Sequence, residues 1–203
     1  MNNSTKRKQK DVLALMKTNF EVKLENENDL SVFTVKFHGP ADTPYEGGVW
    51  DVRVQLPDQY PFKSPSIGFL NRIYHPNIEF SSGAVCLDVI NQAWSPMFEI
   101  KHVFEVFLPQ LLLYPNPSDP LNREAANLLS SNKNQYDLIV KKFVQQYAKP
   151  KNQDSKIHEN TNESNKKEEI SAEVTVSDIS DLSDDPDSLY DSMYGSTNRS
   201  NLN

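Results

Sequence analysis

SVFTVKFHGPADTPYEGGVWDVRVQL, residues 31–56, carries the pattern that decides the fold. Phe33, Val35 and Phe37 alternate with Thr34, Lys36 and His38. After a break at Gly39-Pro40, Trp50, Val52, Val54 and Leu56 alternate with Asp51, Arg53 and Gln55. Successive strand side chains point to opposite faces, so a period of two predicts antiparallel strands with one face buried and one in water. Phe20 to Leu24 and Ile67 to Leu70 are shorter candidates on either side, and together they make a four-stranded antiparallel meander.

Helical spacing flanks the meander. Val12, Leu13 and Met16 form a short apolar stripe in a helix expected from about Thr5 to Asn19, behind the basic run Lys6, Arg7, Lys8 and Lys10. Three helices are expected downstream. Ile100, Val103, Phe104, Phe107, Leu108 and Leu111 mark one face of the first, which Pro109 should kink. Asp119-Pro120 reads as the start of the second, with Asp as N-cap and Pro in the first turn. Tyr136, Ile139, Val140, Phe143, Val144 and Tyr147 face inward from the last, which Pro150 ends. Between the meander and these helices, about Asn71 to Met97 shows no sustained period. Ordered loops of that length are usually functional, so the chemistry is expected there.

Charge divides the chain. Residues 1–150 carry 16 basic and 16 acidic residues, whereas 151–203 carry 5 and 12, so the whole formal charge of −7 sits after Pro150. That last quarter is Asn, Ser, Asp, Glu and Lys with isolated apolar residues. It is expected to be a disordered acidic tail, because burial there cannot offset the entropy of ordering. The architecture is thus α+β, with one domain over 1–150 and a tail over 151–203. A neutral domain with an acidic tail gives no attraction to nucleic acid. No apolar run approaches the roughly 20 residues that cross a bilayer, and Met1 is followed by polar and basic residues rather than an apolar signal. The single cysteine excludes an intrachain disulfide. The expected setting is the cytoplasm or nucleus, where a free thiol survives.

That thiol, Cys86, lies in the long loop, nine positions after Asn77 of the run His75-Pro76-Asn77. A lone cysteine is often a small core residue, and it can also be a nucleophile. Metal binding fails on ligand count: one Cys with the dispersed His38, His75, His102 and His158 makes no zinc spacing. A cysteine hydrolase would need a histidine base beside the thiol. His75 is the local candidate, and Pro76 ties it to a rigid turn.

Several short runs occur in order: Gly39-Pro40, Pro44-Tyr45-Glu46-Gly47-Gly48, Tyr60-Pro61-Phe62-Lys63-Ser64-Pro65, His75-Pro76-Asn77, Cys86-Leu87-Asp88, Trp94-Ser95-Pro96 and Pro115-Asn116-Pro117-Ser118-Asp119-Pro120. In that order, on a layout of helix, four strands and helices, they resemble the ubiquitin-conjugating enzymes. The resemblance covers about residues 5–149. Gly83 to Gln92, Phe107 to Leu112 and the acidic Ser-rich tail are similar to the branch of the human H-type conjugating enzyme and its yeast counterpart.

The resemblance implies the UBC fold, with an active-site loop between meander and helices. It implies that Cys86 takes ubiquitin from the activating enzyme as a thioester and passes it to a lysine. Asn77 would donate to the oxyanion, while as Asn after Pro it is also a turn former that braces its own loop. Asp119 would orient the incoming amine, besides its reading as a cap, and Ser118 stands where many relatives carry a second acid. His75 and Pro76 belong to loop structure; Leu87 and Asp88 shape the groove for the ubiquitin C-terminus. Phe62, Pro96 and Met97 are where relatives dock RING-type ligases, with Lys6 and Lys10 on the helix that meets activating enzyme and ligase. Phe62 could instead pack under its own loop. No bound cofactor or metal is implied, since ATP and magnesium serve the activating enzyme. A multisubunit RING ligase of the GID/CTLH type and histone substrates are the implied partners. Ser177, Ser180, Ser183 and Ser188 among the tail acids suit either phosphorylation or mere solubility. The rival readings are an inactive ubiquitin-binding variant of the fold, a carrier of another ubiquitin-like modifier, and a cysteine hydrolase.

Overall fold

The alternation over 31–56 becomes a sheet with two unlike faces. The computed structural model describes residues 3–149; the expected tail over 151–203 lies outside them. Four strands, β1 (Val22–Asn26), β2 (Asp29–His38), β3 (Val49–Gln55) and β4 (Ser66–Phe69), pair in sequence order and antiparallel throughout. The register sets Phe33 opposite Val54, Val35 opposite Val52 and Phe37 opposite Trp50, then Val52 opposite Phe69 and Val54 opposite Ile67. All these side chains are buried, and their burial is the chief driving force for the sheet. The other face stays in water and carries ion pairs: Lys36 with Glu21 and Asp51, Arg53 with Glu25 at 2.6 Å.

Helices cover the apolar face. α1 (Asn3–Met16) starts and stops earlier than the apolar stripe suggests. Its inward face is Lys8, Asp11, Val12 and Leu15, whereas Leu13 and Met16 are partly exposed. Two polar residues on the buried side shift the true face away from the apolar positions. Lys8 Nζ donates to Leu56 O and Ser31 Oγ, both at 3.1 Å. Asp11 is fully buried, accepts from Arg7 Nε at 2.9 Å and takes the Tyr60 hydroxyl hydrogen.

The loop from Asn71 to Met97 contains a short helix that periodicity does not reveal, α2 (Leu87–Ala93). Seven residues make two turns, only Ile90 is buried, and no side chain caps the start. Pro109 has an unforeseen effect on the next helix. Residues Val103–Phe107 form a π-helical turn, with Leu108 N–H bonding back to Val103 O, and α3 (Leu108–Leu113) continues from it. Proline lacks an N–H and crowds the carbonyl four residues back. A widened turn just before it absorbs this conflict.

The expected helix start at Asp119-Pro120 is incorrect. α4 runs Arg123–Ser131 with Asn122 as N-cap, its side chain accepting from Ala125 N–H. Asn122 N–H donates to Pro76 O at 2.9 Å, and this tertiary bond holds the start three residues later than local sequence suggests. α5 (Lys133–Tyr147) buries Tyr136, Val140, Phe143 and Val144 as spaced, with Ile139 and Tyr147 packed at the margin.

Candidate active site

Residues 71–78 are ordered without helix or strand because side chains from around the molecule satisfy their backbone, as buried polar groups require. Asn71 Nδ2 donates to Val49 O at 3.0 Å and Tyr147 O at 2.9 Å. Trp50 Nε1 donates to Arg72 O at 3.2 Å, and the Tyr45 hydroxyl to Tyr74 O at 2.7 Å. His75 is fully buried. Asn77 N–H donates to its Nδ1 at 3.0 Å, so the hydrogen lies on Nε2 and goes to Leu111 O, also at 3.0 Å. Burial holds the imidazole neutral, its pKa lowered to about 4 against the single opposing bond that it donates to Leu111 O. Both ring nitrogens are engaged, so His75 braces the loop and is not a base for the thiol.

The chain then turns back on itself. Ile78 bridges Val85, Glu79 N–H donates to Ala84 O, and Gly83 N–H returns to Glu79 O. The Glu79 carboxylate accepts from Ser82 N–H at 2.6 Å and from Ser81 Oγ, and these bonds bring its pKa to about 2. Gly83 has φ +71°, and a Cβ there would lie 2.0 Å from Phe69 O, so only glycine fits. Phe69 N–H donates to Gly83 O at 2.9 Å, and Val85 N–H to Ile67 O at 3.0 Å. This fixes the hairpin to the outer edge of β4.

Cys86 is therefore delivered to a set place. Its N–H donates to Asn77 O at 3.0 Å, and it precedes α2. The residue is 7% exposed, while Leu87 and Asp88 beside it stand in solvent. Pro76 and Asn77 are buried. The Asn77 side chain grips the facing loop: Oδ1 accepts from Asn116 N–H at 2.8 Å, Nδ2 donates to Asn116 O at 2.7 Å and reaches Asp119 O at 3.5 Å. Asp119 is exposed, as is Ser118. The fold thus links Cys86, Asn77 and the Asp119 loop through successive hydrogen bonds. Asn116 and Asn122, which join that loop to 76–77, have no distinguishing spacing; they appear only as polar residues in a Pro-rich run and its sequel.

A second cluster forms around 60–64 and 94–98. Phe62 is 83% and Met97 87% exposed, and Pro96 is also exposed. Trp94 Nε1 donates to Pro61 O at 2.9 Å, which draws the two loops together. Arg7 donates to Pro96 O at 3.0 Å and Phe98 O at 2.6 Å, and Lys10 pairs with Glu99 at 3.5 Å. Lys6 is exposed. Arg7, Asp11 and Tyr60 thus build this corner, although nothing in their spacing marks them. Among the described residues no group of three or more His, Cys, Asp or Glu side chains could hold a metal, and no helix is long and apolar enough to cross a membrane.

The family model for ubiquitin-conjugating enzymes matches residues 4–144. Ubiquitin-conjugating enzyme E2 6 of Arabidopsis thaliana is 58% identical over 150 residues, 74% of this chain and 81% of that one. Ubiquitin-conjugating enzyme E2 5 of the same plant is 50% identical over 184 residues, 91% of this chain and 95% of that one. The 24 kDa E2 of Saccharomyces cerevisiae is 49% identical over 73% of this chain and 67% of its own. Among solved structures, the E2 domain of a Toxoplasma gondii ubiquitin-conjugating enzyme superposes with a TM-score of 0.64 at 28% identity, covering 71% of this chain and 99% of that one. The chain belongs to the ubiquitin-conjugating enzyme family, with the UBC fold, and is an enzyme that transfers ubiquitin in concert with an activating enzyme and a ligase.

Proposed function

We propose that Cys86 is the residue that carries ubiquitin. The observation that supports this most directly is its position: the lone thiol sits at the end of a hairpin locked to β4, hydrogen-bonded to the backbone of Asn77. Its thiolate attacks the ubiquitin acyl carbon on the activating enzyme and displaces that enzyme's thiol, so one thioester replaces another and the acyl energy is retained. A lysine amine then attacks the Cys86 thioester. The isopeptide bond forms, the carbon–sulfur bond breaks, and the amine proton leaves.

Asn77 stabilises the oxyanion in this reading. It does so by releasing the weaker of its two amide contacts, the 3.5 Å one to Asp119 O. One such donor is worth about 10² to 10³ in rate. Asp119, exposed on the facing loop, orients the amine and accepts its proton. Desolvation of the lysine as it docks favours its neutral, reactive form. Leu87 and Asp88 line the path of the ubiquitin C-terminus.

The corner of Phe62, Pro96 and Met97, with Lys6 and Lys10 on α1, docks a RING-type ligase. An exposed aromatic held between hydrogen-bonded loops suits an anchor. The partner is of the multisubunit GID/CTLH type, and histones are substrates. The excess of 12 acidic over 5 basic residues in 151–203 attracts basic proteins. These partners set the workplace in cytoplasm and nucleus.

The test mixes the protein with ubiquitin-activating enzyme, ubiquitin, ATP and magnesium, followed by a non-reducing gel. A band one ubiquitin heavier is expected, lost on adding thiol and absent in Cys86→Ala. A band that persists in Cys86→Ala would overturn the assignment. No band from folded protein would move the reading to another modifier, tested with its own activating enzyme, or to an inactive ubiquitin-binding variant.

A further inference from the structure

Two segments face each other beside Cys86, 75–77 and 116–122, and each end of the seam is closed by an asparagine. Asn77 closes one end through its side chain, with bonds to Asn116 at 2.7 and 2.8 Å and the longer reach to Asp119 O at 3.5 Å. Asn122 closes the other through its backbone, donating to Pro76 O at 2.9 Å. Its Oδ1 meanwhile accepts from Ala125 N–H at 3.0 Å and starts α4. Its Nδ2 is buried with no hydrogen-bond partner among the described residues, in a residue only 6% exposed.

The cap does not call for that amide. A serine or aspartate oxygen caps as well as an asparagine, and serine would leave no NH₂ group stranded. A buried donor without an acceptor costs stability and points to some other role. Asn77 shows the complementary shortage. It has two amide hydrogens, and both are committed, so it can serve the acyl oxygen only by giving one up. The Asp119 carbonyl, at the longer distance, is the one released. Its loss would loosen the loop at the moment Asp119 must meet the amine.

We propose that Asn122 is a positioning residue for lysine discharge: its unpartnered Nδ2 takes over the Asp119 carbonyl when Asn77 turns to the acyl oxygen. An asparagine side chain bonding a carbonyl three residues earlier is a familiar local pattern. Asp119 is three residues before Asn122. The seam then stays closed throughout transfer, and the asparagine keeps its cap with the same side chain. This inference rests on Cys86 being the ubiquitin carrier and on Asn77 serving the oxyanion.

Asn122→Asp keeps the cap oxygen and removes every side-chain donor, and Asn122→Ser keeps it and replaces the amide donor with a shorter hydroxyl. The full-length protein is charged with ubiquitin and chased with free lysine in single turnover, and its melting temperature is measured alongside. Both variants are expected to melt within a few degrees of wild type and to discharge roughly tenfold more slowly, with charging affected less than discharge. Asn77→Ser with Asn122→Ser is expected to be no slower than Asn77→Ser alone, since the exchange needs Asn77 first. Discharge at the wild-type rate in both stable variants would overturn the proposal and leave Asn122 a helix cap. So would multiplicative losses in the double variant. A thioester that persists in Cys86→Ala, or none at all in the wild-type protein, would instead sink the ubiquitin-carrier reading on which the inference rests, so the two failures are distinct.

Discussion

At the scale of single residues, His75 shows how burial fixes a role. The ring has one donor and one acceptor in use and is fully buried, so the protein binds it neutral. Its pKa is about 4 in the folded chain against 6.5 in an exposed histidine. Above pH 6.5 both folded and unfolded states hold it neutral and its environment is fully stabilising. As pH falls from 6.5 toward 4, the unfolded chain gains a proton that the folded chain refuses, and stability drops. The expected loss between pH 7.5 and pH 5 is about 2 kcal/mol from this residue. Urea unfolding at the two pH values measures it, and His75→Gln should flatten that part of the profile. A profile equally steep in the variant would show that other groups carry the dependence.

Elements begin and end where tertiary bonds hold them, and α4 is the clearest case. Asp119-Pro120 has the chemistry of a helix start, yet Asn122 performs the capping because its N–H is held by Pro76 O. Asp119 is thereby left exposed and outside the cap. Asp119→Ala should leave the melting temperature within about 1 °C, since a surface change away from a cap costs little, while slowing discharge to free lysine. Thermal denaturation and a lysine chase on one preparation test both halves. A drop of several degrees with normal discharge would restore the capping role to Asp119. The π-helical turn Val103–Phe107 follows the same logic, since Pro109 reshapes the helix before it rather than ending it.

Across the whole molecule, one buried carboxylate joins three regions. Asp11 on α1 holds Arg7, which reaches Pro96 O and Phe98 O, and it accepts from Tyr60, next to the Phe62 loop. Arg7 is three-quarters buried beside it, with its pKa raised by the Asp11 hydrogen bond and charge against the opposing cost of burial. Asp11→Ala strips the Tyr60 hydroxyl and Arg7 Nε of their acceptor while Arg7 keeps its two carbonyls, and should cost roughly 2–4 kcal/mol in urea unfolding. A loss under 1 kcal/mol would mean the pair behaves like a surface one. The end of α5 is a second long-range tie: Val49 N–H donates to Ala148 O at 2.7 Å and Asn71 Nδ2 to Tyr147 O. Ending the chain after Pro150 should preserve cooperative unfolding and thioester formation, while ending it after Val144 should abolish both. Far-UV circular dichroism melts of the two truncations decide this.

The strands, the faces of the later helices and the placing of the lone thiol in the irregular segment were legible in the residues, because periodic burial and short Pro- and Gly-marked turns are local properties. Phe33 to Leu56 show this on the sheet, and Tyr136 to Val144 on α5. The inward face of α1 was not legible. Lys8 and Asp11 are buried only because Leu56 O, Ser31, Arg7 and Tyr60 converge on them from 20 or more residues away, apart from Arg7 one turn earlier. The start of α4 and the tie between Asn77 and the Asp119 loop were hidden for the same reason. Periodicity and composition alone single out most of the core and the sole thiol. Which polar groups meet is settled only on folding, since a hydrogen bond needs its two ends within about 3 Å and chain separation says nothing of that distance.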